Sequence, residues 1–297
     1  MFSRLDGSPE GAYRGMFTVG TDGVEQPVKL PFEPDFAYSV WSSDGSKLLV
    51  DSYTDANGGA VGTYDLASAS YRVIAPKGMA DGLDCSDWAP DDKTVVCGFG
   101  SSDKVRDGIY AVDVATSTAK RLTHSPYHDT VGTAGECGGG ESRGVFSPDG
   151  KRIAFEEQQC GTGADPSSDE SGQLVVIAAD GSSPHVVVPF GGVRTHPGGE
   201  ISWSPRGDLI AFGTQTGELS VVAPDGTNLR QLAVPATVDG SSAIGPAWSP
   251  DGRWLLVGVG GSGRFDLFAI ALNGSPPIQL TASDRTEAFT DWGVAPA

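Results

Sequence analysis

The stretch "AWSPDGRWLLVGV", Ala247 to Val259, sets an aromatic before a Ser-Pro-Asp-Gly corner and follows it with an apolar run. Nearly the same phrase occurs as "VFSPDGKRIAFEE" at Val145–Glu157 and "SWSPRGDLIAFGT" at Ser202–Thr214. The leading aromatics fall at Trp41, Trp88, Phe146, Trp203, Trp248 and Trp292, spaced 44 to 58 residues apart. That period is close to the one expected for four-stranded propeller blades. Each corner is followed by a second apolar run, a further turn and a closing strand, so each complete unit reads as four strands.

Five units are complete, and the chain ends supply parts of a sixth. The N-terminus reads as strands two to four of a unit, and "TDWGVAPA" at the C-terminus reads as a first strand. Joining them hides sheet edges that an open array would expose. The expected fold is therefore an all-β, six-bladed β-propeller with four antiparallel strands per blade. It forms a single domain over residues 1–297, with blades near 38–80, 81–124, 137–190, 197–234, 243–281, and 286–297 plus 1–31. The 42 glycines and 20 prolines agree with a fold made of short strands and many turns.

The aromatic-SPDG corner, the "IAF" run and the later "(A/P)-DG-(S/T)" turn resemble the TolB-type propeller repeats. The resemblance covers essentially the whole chain. It implies a scaffold whose repeat residues are structural, as in many secreted bacterial propellers, so no catalysis is expected from the repeat itself.

Charge and motifs narrow the function. The net charge of -18 disfavours nucleic acid and anionic membranes, which attract basic surfaces. No run approaches the roughly 18 apolar residues of a membrane helix. "MFSRLDGSPEG" at residues 1–11 lacks the apolar core of a secretory leader. No G-x-S-x-G elbow, phosphate loop or dinucleotide fingerprint is present.

The four cysteines can pair in three ways. Strand register around the corners places Cys85 opposite Cys97, and Cys137 nearly opposite Cys160. Both bridges are expected; four buried thiols are the alternative reading, and zinc lacks a C-x-x-C spacing. Bridges imply an oxidising compartment, hence a secreted or periplasmic protein.

In such a blade the short corners share one face, and the long, irregular connections share the other. Function usually sits on irregular loops carried by a rigid scaffold. Ligand-binding candidates on that face, around the channel mouth, are His124, Tyr127, His128, Asp129, Glu141, Arg194, His196, Glu200, Asp239, Arg285 and Glu287. "HSPYHD" (124–129) could supply acid, base or metal ligands near neutral pH, and equally reads as a solvated loop. A divalent metal, calcium or manganese, could be held by His128 and His196 with Glu141 or Glu200. The acidic "ADPSSDESG" (164–172) lacks the Asp spacing of a calcium loop. The favoured function is a monomeric binding module for a protein, glycan or small molecule. The alternative is a lyase or hydrolase with a His/carboxylate or metal site at the channel mouth.

Overall fold

A computed structural model describes residues 2–5, 13–19, 25–28, 36–54, 58–80, 82–100, 106–124, 140–159, 171–193, 201–214, 216–236, 242–261, 264–282, 286–288 and 291. In 2–28, 36–38, 53–59 and 286–288 the description is of the backbone alone. The chain is all-β. Its first strands are β1 (Phe2–Leu5), β2 (Tyr13–Val19) and β3 (Glu25–Val28). Next come β4 (Phe36–Trp41), β5 (Lys47–Thr54), β6 (Gly58–Asp65) and β7 (Ser70–Val73). The following unit is β8 (Leu83–Trp88), β9 (Thr94–Phe99), β10 (Gly108–Asp113) and β11 (Thr118–Arg121). Then follow β12 (Gly140–Phe146), β13 (Arg152–Gln159), β14 (Ser171–Ala178) and β15 (His185–Val193). The next four are β16 (Ile201–Trp203), β17 (Ile210–Gly213), β18 (Leu219–Val222) and β19 (Arg230–Leu232). The last are β20 (Ser242–Trp248), β21 (Trp254–Gly261), β22 (Arg264–Ala271), β23 (Ile278–Gln279) and β24 (Thr286–Ala288).

These strands form a β-propeller with four antiparallel strands per blade. Five blades are each built from four consecutive strands, β4–β7 through β20–β23. A further four-stranded sheet, in the order β24-β1-β2-β3, joins the two ends of the chain. Its seam pairs Ser3, Arg4 and Leu5 with Ala288, Glu287 and Thr286.

The repeated corners share one geometry. The Gly amide donates to the Ser carbonyl at 2.9 Å for Gly45/Ser42 and 2.8 Å for Gly150/Ser147, Gly207/Ser204 and Gly252/Ser249. Each of these glycines has φ near +70°, where a side chain is strained. The Ser hydroxyl donates to the corner Asp: Ser42 to Asp44, Ser147 to Asp149 and Ser249 to Asp251, at 2.8, 2.6 and 2.7 Å. In "SPRGD" the corner Asp is missing, and Ser204 donates to Asp208 instead, at 2.6 Å. In "APDD", Asp92 occupies the Gly position at φ 54°. Its carboxylate compensates by accepting the Ser43 amide of the preceding blade at 2.6 Å.

The core lies between blades, not within one. Leu49, Val61 and Ile74 pack with Leu83, Trp88, Val95 and Val112 across the first blade boundary. Val96, Ile109, Phe146, Ile153 and Phe155 fill the next. Equivalent clusters join β12–β15 to β16–β19 and β16–β19 to β20–β23. Because the five consecutive-strand blades bury aliphatic faces against one another, their innermost strands are held edge-on around an axis.

Cys85 and Cys97 are bridged, with Cα atoms 3.8 Å apart, and both are fully buried. They stand opposite each other on β8 and β9, the register expected from the corner. Cys137 and Cys160 lie outside the described residues.

Candidate functional site: the central channel

The first strand of each consecutive-strand blade faces the axis, and together they wall a cavity of about 480 Å³. Ser39, Ser86, Val145, Ser202 and Pro246 line its length, and Pro90, Pro148 and Pro205 form a rim where the corners begin. The cavity therefore extends toward the short-turn face, opposite the long connections on which the sequence reading places a site.

The wall is built by a repeated clamp. Trp88 Nε1 donates to the Val40 carbonyl at 3.3 Å, Trp203 Nε1 to Val145 at 3.1 Å, and Trp248 Nε1 to Ser202 at 3.0 Å. In each case the acceptor directly precedes the aromatic of the preceding blade. Phe146 has no ring donor, and at that boundary an acid takes over: its backbone amide donates to Asp87 Oδ2 at 2.8 Å. Asp291 does the same for Trp41, accepting its amide at 2.9 Å. Ser86 Oγ adds a bond to the Gly144 carbonyl at 2.7 Å.

These substitutions give the channel its charge. Among the described residues, Asp84, Asp87 and Asp291 line it with one cation, Arg143. Protein surrounds Asp87, although part of the side chain faces the channel. Burial pushes its carboxyl up to about 7, the neighbouring Asp291 charge adds to the rise, and the amides of Phe146 and Trp88 oppose it. Arg143 sits in a bulge of β12 at φ 54°. Its Nη1 lies 3.2 Å from Oε2 of Glu156, a carboxylate with no exposed surface. Gln158 Nε2 donates to the other oxygen, Oε1, at 3.0 Å. A left-handed backbone and a buried counter-charge thus fix the Arg143 guanidinium at the cavity.

Chemically, the arrangement is a mixed-charge, partly apolar socket. The corner serines are committed: Ser147 and Ser204 hydroxyls donate to Asp149 and Asp208. Among the described residues, no group of three or more His, Cys, Asp or Glu side chains is placed to hold a metal ion. No helix among them is long and apolar enough to cross a membrane.

Of the residues expected from sequence, the structure describes His124, Glu141 and the backbone of Glu287. His124 is exposed just beyond β11, and Glu141 is buried at the start of β12, joined to the neighbouring blade by the Thr123 hydroxyl, which donates to its Oε2. Glu287 lies on β24, opposite Arg4. Tyr127, His128, Asp129, Arg194, His196, Glu200, Asp239 and Arg285 lie outside the described residues, as does the His128/His196/Glu200 metal set. Sequence reading missed Asp87, Asp291 and Arg143 as channel residues. Aligning the repeats on their aromatics would have found the acids: both sit in "DW", where other units have Val40, Val145, Ser202 or Ala247.

Comparison with known proteins agrees with this fold. A solved TolB from Acinetobacter baumannii aligns over 98% of this chain and 66% of its own, with a TM-score of 0.69 and 19% identity. The fold is TolB-like. The TolB protein of the Tol-Pal system of Gluconobacter oxydans (strain 621H) is 43% identical over 74 residues, which is 22% of this chain and 15% of that protein. The chain thus matches a small part of that relative, and less than two thirds of the solved TolB. An oligogalacturonate lyase solved with manganese aligns over 90% of this chain and 72% of its own, at 17% identity and a TM-score of 0.54. Residues 201–292 match the family model of the anaphase-promoting complex subunit 4 WD40 domain. A disulfide on this scaffold fits an extracytoplasmic location.

Proposed function

We propose that this protein is a protein-binding module that works outside the cytoplasm, in the periplasm or after secretion, and takes a segment of its partner at the channel. The observation that carries this reading is the socket itself. A cavity of about 480 Å³ is walled by rigid strands and holds acids, an anchored arginine and apolar surface together. Polar groups converging in a largely preformed apolar cavity are the usual makings of a ligand site. The TolB-like fold and the relative named for a Tol-Pal system support a protein as the ligand. The candidates on the connections, His124 among them, would then widen the contact on the opposite face.

We further propose that the ring closes with six blades, the terminal sheet being the sixth. Support comes from β24 pairing with β1, from Asp291 accepting the Trp41 amide, and from strands of the terminal sheet packing beside β4 and β22.

Site-specific photo-crosslinking tests the binding reading. A photoreactive residue replacing Ser43, on the corner rim, should give protein adducts in a bacterial cell-envelope fraction. The same probe at Ile278, on an outer edge strand, should not. Equal labelling from both sites, or none from the rim, would refute it.

A further inference from the structure

Away from the channel, one pair of buried carboxylates has no part in the reading above. Glu141 on β12 and Glu157 on β13 stand directly opposite each other, and both are buried. Like charges so placed repel, and burial removes the water that would screen them. Their polar partners are donors. The Thr123 hydroxyl donates to Glu141, and Gln173 Nε2 donates to Glu157 Oε2 at 2.6 Å. The Thr123 oxygen in turn accepts the Ile109 amide at 2.8 Å. Glu141 is therefore tied through Thr123 to the β10–β11 hairpin of the neighbouring blade.

The remaining groups around this junction do not neutralise both acids. Arg121 attracts Glu141, but its Nε donates to the Thr123 carbonyl at 2.8 Å and its Nη2 to the Asp107 carbonyl. Asp107 is itself a buried acid, and Arg143 is paired with Glu156. On β8 Asp84 stands opposite Gly98 and Asp87 opposite Val96, and His124 is exposed. The β9 strand, "TVVCGF", carries no charge, and Gly98 lets β12 approach closely: a Cβ there would lie 3.0 Å from the Glu141 carbonyl oxygen.

We propose that Glu141 and Glu157 form a proton-operated latch within one blade, holding the start of β12 to the end of β13 while a proton is bound and loosening that pairing when both acids ionise. Burial, then the Glu157 charge, push the Glu141 carboxyl up to about 7, against the opposing pull of the Thr123 bond and Arg121; burial also raises Glu157. With the folded value above the ordinary one, the latch is fully held in acid and is lost as pH rises through about 7. Its position gives it a task. In chain order residues 125–139 precede β12 and residues 160–170 follow β13, so both connections begin or end at this pair of strands. The inference stands whether or not the channel binds a protein.

Amide hydrogen exchange on the whole protein, corrected for its intrinsic pH dependence, reads the latch locally. Protection over 140–142 and 156–159 should fall on the order of tenfold between pH 6 and pH 8 in the wild type. It should stay constant in Glu141→Gln. Equal behaviour of wild type and variant would overturn the proposal. So would restoration of protection at pH 8 by calcium alone, which would make the pair a cation site. Should Glu141→Gln fail to fold, carboxyl-carbon NMR of the wild type decides. A glutamate titrating near neutrality supports the latch, and all glutamates titrating in the ordinary acidic range overturn it.

Discussion

Replacing Asp87 by asparagine should remove a pH-dependent contribution at one blade boundary, leaving the variant less stable than wild type in acid and more stable above neutrality. Asp87 accepts the amides of Phe146 and Trp88 while facing Asp291 along the channel wall. Its carboxyl is raised from 3.8 to about 7, so the folded chain holds a proton that the unfolded chain releases between those values. This contribution to stability is complete below the unfolded value and is lost as pH rises through about 7. At 1.36 kcal/mol per unit, the ceiling is about 4 kcal/mol. Channel water on the open side of Asp87 lowers this to roughly 2 kcal/mol. Asp87→Asn keeps one acceptor and gives up the other, at about 1 kcal/mol. Urea denaturation at pH 4.5, 6 and 8 should therefore find the variant about 1 kcal/mol less stable than wild type in acid and about 1 kcal/mol more stable at pH 8. A difference that stays flat with pH would refute the assignment of a proton to Asp87.

Other perturbations follow from particular contacts. Trp203→Phe leaves the Val145 carbonyl without its 3.1 Å donor and should cost about 1–2 kcal/mol in denaturant unfolding, with Trp248→Phe behaving alike at Ser202. Gly98→Ala drives a methyl against the backbone of Glu141 and Ser142 and should destabilise by about 1–3 kcal/mol, read as a lower unfolding midpoint. Removing the Cys85–Cys97 bridge, whose cysteines are 12 residues apart, should cost about 3 kcal/mol on a loop-entropy account, measured as Cys85→Ala/Cys97→Ala against wild type. Asp92→Gly should fail to stabilise the protein, although it relieves a φ of 54°, because it deletes the 2.6 Å bond from Ser43. A gain in its melting temperature would contradict that reading.

The architecture was legible because its determinants are local and repeated. An aromatic, a Ser that bonds an Asp and a Gly at positive φ recur in each SPDG corner, and together they fix strand ends, register and blade period. Register alone was enough to pair Cys85 with Cys97. The channel was harder to see because its chemistry lies in departures from the repeat. Asp87 and Asp291 replace neutral residues at one inner-strand position, and Arg143 owes its orientation to a bulge and to Glu156 on the next strand. Glu141 reads in the sequence as a ligand candidate on the long-connection face; in the structure it is buried and bonded across blades by Thr123. No periodicity shows that burial, because it arises from the packing of one blade on the next.

The central claim is that the channel is the binding surface, and hydrogen exchange of the protein with and without its crosslinked partner tests it most directly. The account predicts new protection in the inner-strand segments 84–90, 143–148 and 201–205, with the outer strands unchanged. Protection confined to outer strands such as β19 and β23, with the inner segments unaltered, would contradict it.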